Sequence, residues 1–143
     1  SVPESKAMQY VAGYTIVNDV SERAYQLDAA AGQWTRGKGC DTFCPVGPWI
    51  VTKDEIDDLP SMQIQTLVND EVRQQAEVRD LIFDIPTLIE TLTLTGTLLA
   101  GDIIATGTPV GVGIGFSPPK FLKSGDKVTI NVTGLGSLTN PVI

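Results

Sequence analysis

Met62-Gln63-Ile64-Gln65-Thr66-Leu67-Val68-Asn69-Asp70-Glu71-Val72-Arg73-Gln74-Gln75 decides what kind of fold this chain adopts. Two runs rich in β-branched and apolar residues flank an Asn-Asp pair. Asn and Asp both tolerate left-handed backbone, so the stretch predicts a β-hairpin, 62–68 against 71–75. Toward the C-terminus, Gly125-Asp126 predicts a turn into an alternating strand over 127–132, and Gly134 introduces a last strand over 135–142. Gly101-Asp102 precedes the apolar run 103–106, which reads as a buried strand. Toward the N-terminus, 14–20 and 49–52 read as two more strands.

Helical signals are fewer. Residues 3–11 read as a short helix that starts at Pro3 and stops before Gly13. Ser21 is placed to cap a turn over 22–26. Ile85, Leu88, Ile89 and Leu92 recur at helical spacing over 85–94, with Pro86 in the first turn. The stretch from there back to Pro48 and Gln26 reads otherwise: 27–48 as an ordered loop containing Gly and Pro, and 54–60 as an acidic connector. Strands outnumber helices, which predicts an α+β, mainly β domain built on a rolled or sandwiched sheet. No repeat or linker divides it, so residues 1–143 read as one domain.

Composition narrows the chemistry. The 143 residues include no histidine, which removes Ser-His-Asp triads, Cys-His pairs and His-ligated zinc. A formal charge of −7 disfavours a nucleic-acid partner, because phosphate binding needs a basic footprint. No apolar run reaches the length of a membrane span, and no basic-then-apolar leader opens the chain. Two cysteines, Cys40 and Cys44, read as reduced thiols of a cytoplasmic protein.

Four polar residues stand out against that background. Asp19, Arg23, Gln26 and Lys38 are an acid, a guanidinium, an amide and an amine flanked by turn residues. Asp19, Arg23 and Gln26 project the same way if the turn after Asp19 is helical. Two readings stand: a surface ion pair with a solvated amide, or a kit for a metal and a small anion. One carboxylate alone holds Mg²⁺ poorly without water and substrate oxygens. Gly32-x-x-x-x-Gly37-Lys38-Gly39 falls short of a phosphate loop, since Gly39 stands where Ser or Thr would hold magnesium. Gly111-x-Gly113 lacks the third glycine of a dinucleotide fingerprint, because position 116 is Phe116. The glycines of 107–115 read instead as a turn that takes positive φ or passes close to other backbone. Thr108 within it offers a hydroxyl to a ligand anion.

Longer motifs carry a resemblance. Gly13-Tyr14-Thr15-Ile16-Val17-Asn18-Asp19-Val20-Ser21-Glu22-Arg23, Gly37-Lys38-Gly39-Cys40-Asp41-Thr42-Phe43-Cys44-Pro45-Val46-Gly47-Pro48-Trp49 and Gly101-Asp102-Ile103-Ile104-Ala105-Thr106-Gly107-Thr108-Pro109 resemble the fumarylacetoacetate hydrolase family in order and spacing. Phe121-Leu122-Lys123-Ser124-Gly125-Asp126 and Gly134-Leu135-Gly136 extend the match over nearly the whole chain. The resemblance implies a mixed β-sandwich roll, a homodimer, and Mg²⁺, with Mn²⁺ or Ca²⁺ in its place. It implies action on a small anionic 2-oxo or 2,4-dioxo acid by C–C hydrolysis, with isomerisation, tautomerisation or decarboxylation as alternatives on the same scaffold, and a non-catalytic diverged member as a third. By motif position it makes Asp19 a metal carboxylate, Arg23, Gln26 and Thr108 substrate contacts, and Lys38 the catalytic lysine. It implies further that a Glu-x-Glu pair of metal carboxylates lies upstream of Ser1, leaving the domain incomplete at its N-terminal side. Ser21-Glu22-Arg23-Ala24-Tyr25-Gln26 is similar to the branch acting on 2,4-diketo-3-deoxy sugar acids. Two departures are visible: Ala76-Glu77-Val78 replaces a common Gly-Asn-Thr, and Asp70 replaces the usual hairpin glycine.

Overall fold

The structure is a computed structural model that describes residues 1–29 and 33–143, with the backbone alone at 28 and 29. Its strands form two antiparallel sheets. β1 (Gly13–Val17) pairs with β2 (Val46–Thr52). β3 (Gln63–Val68), β4 (Glu71–Glu77), β5 (Lys127–Val132) and β6 (Gly136–Pro141) form the second sheet in the order β4-β3-β5-β6. β2 packs on β6, which closes one side of a sandwich-like roll. The α+β, mainly β class expected from the sequence is the one found.

β5 shows why these residues make a sheet. Val128, Ile130 and Val132 are buried while Lys127, Thr129 and Asn131 are not, the period-two pattern of a strand with one face inward. With Ile16, Val51, Met62, Val68 and Leu135 they form the core between the sheets. On the other face Thr129 and Thr139 meet hydroxyl to hydroxyl at 3.0 Å across β5 and β6.

The β3–β4 hairpin turns on Asn69 and Asp70, with φ of 51° and 69°, the left-handed pair of a type I′ turn. Asn69 also ties this turn to the next one. Its Nδ2 donates to Asp126 Oδ1 at 2.7 Å, and its Oδ1 accepts from the Lys127 amide at 2.8 Å. The Lys123 amide and this Asn69 contact hold the Asp126 carboxyl below the usual carboxylate range. Asp70 makes no such bond and keeps the cost of a left-handed L-residue. Asp70→Gly is therefore expected to raise stability by about 0.5–1 kcal/mol, read as a higher urea midpoint at unchanged slope.

The helices are α1 (Glu4–Ala7), α2 (Thr35–Lys38) and α3 (Ile85–Thr95). α3 begins where Asp84 accepts from the Thr87 amide at 2.9 Å, and its Ile89 is buried, as is Ala7 of α1, which packs on it.

Several sequence expectations need correction. The helix over 3–11 shrinks to α1, because the Gln9 and Tyr10 amides reach back three residues and tighten into a turn. β1 stops at Val17 because Pro45, next in register on the partner strand, has no amide to return the bond its carbonyl accepts from Asn18. Glu22, not Ser21, caps the following turn: its Oε1 accepts from the Ala24 amide at 3.0 Å. That turn continues as a π-helical segment, Ala24–Ala29. The loop before Pro48 contains α2. The run 103–106 is not a buried strand: it joins no ladder among the described residues, and Ile103 is 55% exposed. Gly32, the first glycine of the phosphate-loop near-match, lies outside the described residues.

Candidate active site

Asp19 is held by its neighbours' backbone. The Asn18 amide donates to Pro45 O at 3.0 Å and the Val20 amide to Phe43 O at 3.1 Å, so the chain around Asp19 is fixed against the β2 approach. Its carboxylate Oδ2 accepts from the Lys38 ammonium, and the described residues place no partner on Oδ1. Lys38 reaches it from the end of α2, which docks on the segment after Asp19. The Glu22 amide donates to Gly37 O at 2.8 Å. Arg23 and Lys38 are therefore each one residue away from a directly bonded backbone pair.

Gly37 makes this docking possible. It is buried, and a Cβ there would lie 2.6 Å from Gln26 Cβ and 2.7 Å from Glu22 O. Gln26 is fully buried beneath it, with Oε1 accepting from the Arg23 guanidinium at 2.6 Å. Nε2 of the same amide is buried without a partner among the described residues. Gln26 thus sets the direction of Arg23 from behind.

The loop that follows residue 103 lines the same cavity. Thr108 is exposed there, and its Oγ1 accepts from Gln74 Nε2 at 2.7 Å. Gly111, at φ 108°, lies so tightly on the Arg73 carbonyl that no side chain fits. Arg73 stacks over the Phe116 ring at 5.3 Å and Lys120 at 5.0 Å. Lys120 and Arg73 both pair with Glu71, whose carboxyl is held below its ordinary range chiefly by the Lys120 bond. A β-bulge underlies these contacts. Thr66 pairs with Gln74 and Leu67 with Val72, so Arg73 is the extra residue of β4.

The cavity is a cleft of about 2450 Å³ whose lining includes Ile64, Thr66, Val128 and Ile130. Asp19, Arg23, Lys38 and Thr108 all line it; Gln26 does not. Four of the five residues singled out in the sequence are therefore brought to one cavity, and the fifth supports one of them from behind. Gln74 and Tyr14 are among the lining groups that sequence reasoning missed. Burial pushes the Tyr14 hydroxyl up, so it stays a neutral donor. Its place at the head of β1 was readable; the bulge that turns Gln74 inward was not.

Asp19 Oδ1, which has no partner among the described residues, is an oxygen donor open to a divalent cation. Among the described residues no cluster of three or more acidic or sulfur side chains could hold a metal. Asp19 fits as one member of a sphere that water and substrate oxygens also fill, the habit of Mg²⁺. The glycines of 107–115 form the turn expected of them. They lead into a 3₁₀ turn, Gly113–Gly115, and not into the helix a dinucleotide needs. No helix among the described residues is long and apolar enough to cross a membrane.

The family model for the fumarylacetoacetate (FAA) hydrolase C-terminal domain matches residues 1–143. The chain belongs to the fumarylacetoacetate hydrolase family. Among relatives in this family, the oxaloacetate tautomerase YisK of Bacillus subtilis is 49% identical over 141 residues, covering 99% of this chain and 46% of that protein. The chain thus spans about half the length of the curated relatives it matches. The 5-carboxymethyl-2-hydroxymuconate delta-isomerase of Mycobacterium smegmatis superposes with a TM-score of 0.87 at 48% identity, over 99% of this chain and 52% of that one. The maleylpyruvate hydrolase of Sphingobium sp. SYK-6, in complex with manganese (II) ion and pyruvate, gives a TM-score of 0.83 at 39% identity, over 100% and 48%. Fumarylacetoacetate hydrolase relatives of this chain therefore include a tautomerase, an isomerase and a hydrolase.

Proposed function

We propose that residues 1–143 form the C-terminal portion of one catalytic domain, that its cleft carries a small 2-oxo acid through its enolate, and that keto–enol tautomerisation of a 2-oxo dicarboxylic acid is its reaction. The observation that carries this reading is the Lys38 ammonium, held on Asp19 at the cleft wall beside Arg23. Enolate formation puts negative charge on the former keto oxygen. A fixed ammonium there stabilises that charge without reorganising at the moment of reaction. Arg23, aimed by Gln26, presents a fork that suits a carboxylate, and Thr108 offers a hydroxyl to the same cleft. Tautomerisation moves one proton between C3 and that oxygen, and Lys38 is placed to hold the proton at the oxygen end.

A divalent cation, when bound, would be held in part by Asp19 and would withdraw electron density from the keto group. The identity to a tautomerase and to an isomerase supports this reading over its rivals. C–C hydrolysis of a 2,4-dioxo acid is the second reading, supported by the hydrolase similarity, and it passes through the same enolate. The homodimer belongs to the proposal through the family resemblance alone; exposed Ile82, Phe83, Leu99 and Val110 line the cleft and offer apolar surface to further polypeptide.

The test uses the full-length protein and proton NMR of oxaloacetate and an acylpyruvate. The expected result is faster interconversion of the enol and keto forms of oxaloacetate with every carbon retained. Two fragments from the acylpyruvate would favour hydrolysis. No acceleration of either substrate would overturn both readings.

A further inference from the structure

We infer that Gln74 is a positioning residue: it turns the Thr108 hydroxyl proton into the cleft, so that Thr108 meets the substrate carboxylate as a donor. The inference rests on the proposed 2-oxo acid reading and adds a residue to it. Gln74 Nε2 lies 2.7 Å from Thr108 Oγ1 and 2.8 Å from Pro109 O. A carbonyl oxygen only accepts, so the Pro109 contact fixes which end of the amide faces the loop. The two amide hydrogens then go one to Pro109 and one to Thr108.

A hydroxyl has one proton and two lone pairs. The Gln74 bond occupies a lone pair of Thr108. Among the described residues no acceptor takes the Thr108 proton, and the side chain is exposed on the cleft. The proton is therefore left for a ligand, and a carboxylate is the acceptor that gains most, through a charge-assisted bond.

The β4 bulge explains why a glutamine sits there. Cross-strand partners share a face, and Gln74 pairs with Thr66, which lines the cleft with Ile64 and Val68. Without the extra residue, Arg73 would pair with Thr66 and its charged chain would take the inner face. Gln74 would point away from the loop.

The experiment is a double-mutant cycle in the full-length protein with Gln74→Met and Thr108→Val. Affinity for oxalate is read by calorimetry, and kcat and KM with the 2-oxo acid. Gln74→Met is expected to weaken oxalate binding and raise KM about tenfold, the loss of one hydrogen bond to a charged group, with kcat nearly unchanged. Added to Thr108→Val, it should cost nothing more. Gln74→Glu keeps length and polarity if the methionine variant does not fold. Its carboxylate takes the Thr108 proton, so oxalate binding should fall, and by less in the Thr108→Val background. Additive losses, or a fall in kcat with KM unmoved, would overturn the inference while leaving the functional reading intact. A wild-type protein that neither binds oxalate nor turns over a 2-oxo acid overturns the functional reading itself, and the role of Gln74 with it.

Discussion

Lys38→Met is expected to lower kcat about 10²- to 10³-fold, the cost of losing one fixed group that stabilises a developing oxyanion. Methionine preserves most of the stem and its packing, so the loss isolates the charge. Folding should barely change. The Lys38 and Asp19 side chains are 32% and 47% exposed, and ion pairs that wet contribute little to stability. Lys38→Arg keeps the charge but spreads it over a planar fork that does not fit the same point, so it should recover only part of the rate. The measurement is steady-state kinetics beside a melting curve. A methionine variant with wild-type kcat would remove Lys38 from the chemistry, and the tautomerase and hydrolase readings would lose their common step.

Gly37→Ala tests the docking that brings Lys38 to Asp19. A methyl group at this position meets Gln26 Cβ at 2.6 Å, Glu22 O at 2.7 Å and Gln26 N at 2.8 Å. Two of these atoms are backbone and cannot swing aside. α2 must move off the turn that carries Arg23, and overpacking of this kind costs about 1–3 kcal/mol. The kinetic effect should be larger than the thermal one. A shift of about 1 Å at a catalytic group is enough for a 10²-fold loss. Expected together are a lower melting temperature and a kcat reduced at least as far. An alanine variant as active and as stable as the parent would mean that α2 is not seated on Glu22 and Gln26 as described.

Much of the sheet was legible because its signals are local. The alternation of Val128, Ile130 and Val132 predicts β5 to the residue, and Asn69-Asp70 predicts the hairpin turn, since both depend only on neighbours along the chain. Pro86, in the first turn, marks the start of α3 in the same way. The failures are of another kind. The run 103–106 has the apolar character of a buried strand, but a ladder needs a second edge, and no pattern within the run reveals whether one is present. The Gly and Pro content of 27–48 predicts a loop where α2 forms; here Gly37 is what lets the turn pack. In the candidate site, local spacing groups Asp19 with Arg23 and Gln26, whereas the ion partner of Asp19 is Lys38, 19 positions away in sequence, a distance at which spacing along the chain says nothing. Spacing alone could not separate the two roles of Arg23 and Gln26. Burial does: one lines the cleft, and the other lies sealed beneath α2. Gln74 stayed invisible because its inward direction depends on a two-against-one pairing that nothing in Val72-Arg73-Gln74 announces.

That pairing makes the hairpin sensitive to parity. Substitutions between the turn and Gln74 alter one side chain each. Removing or adding a single residue there would instead exchange odd for even positions along the rest of β4, carrying Gln74 and Ala76 outward together. Between the turn and Gln74, variation should therefore be freer in identity than in length.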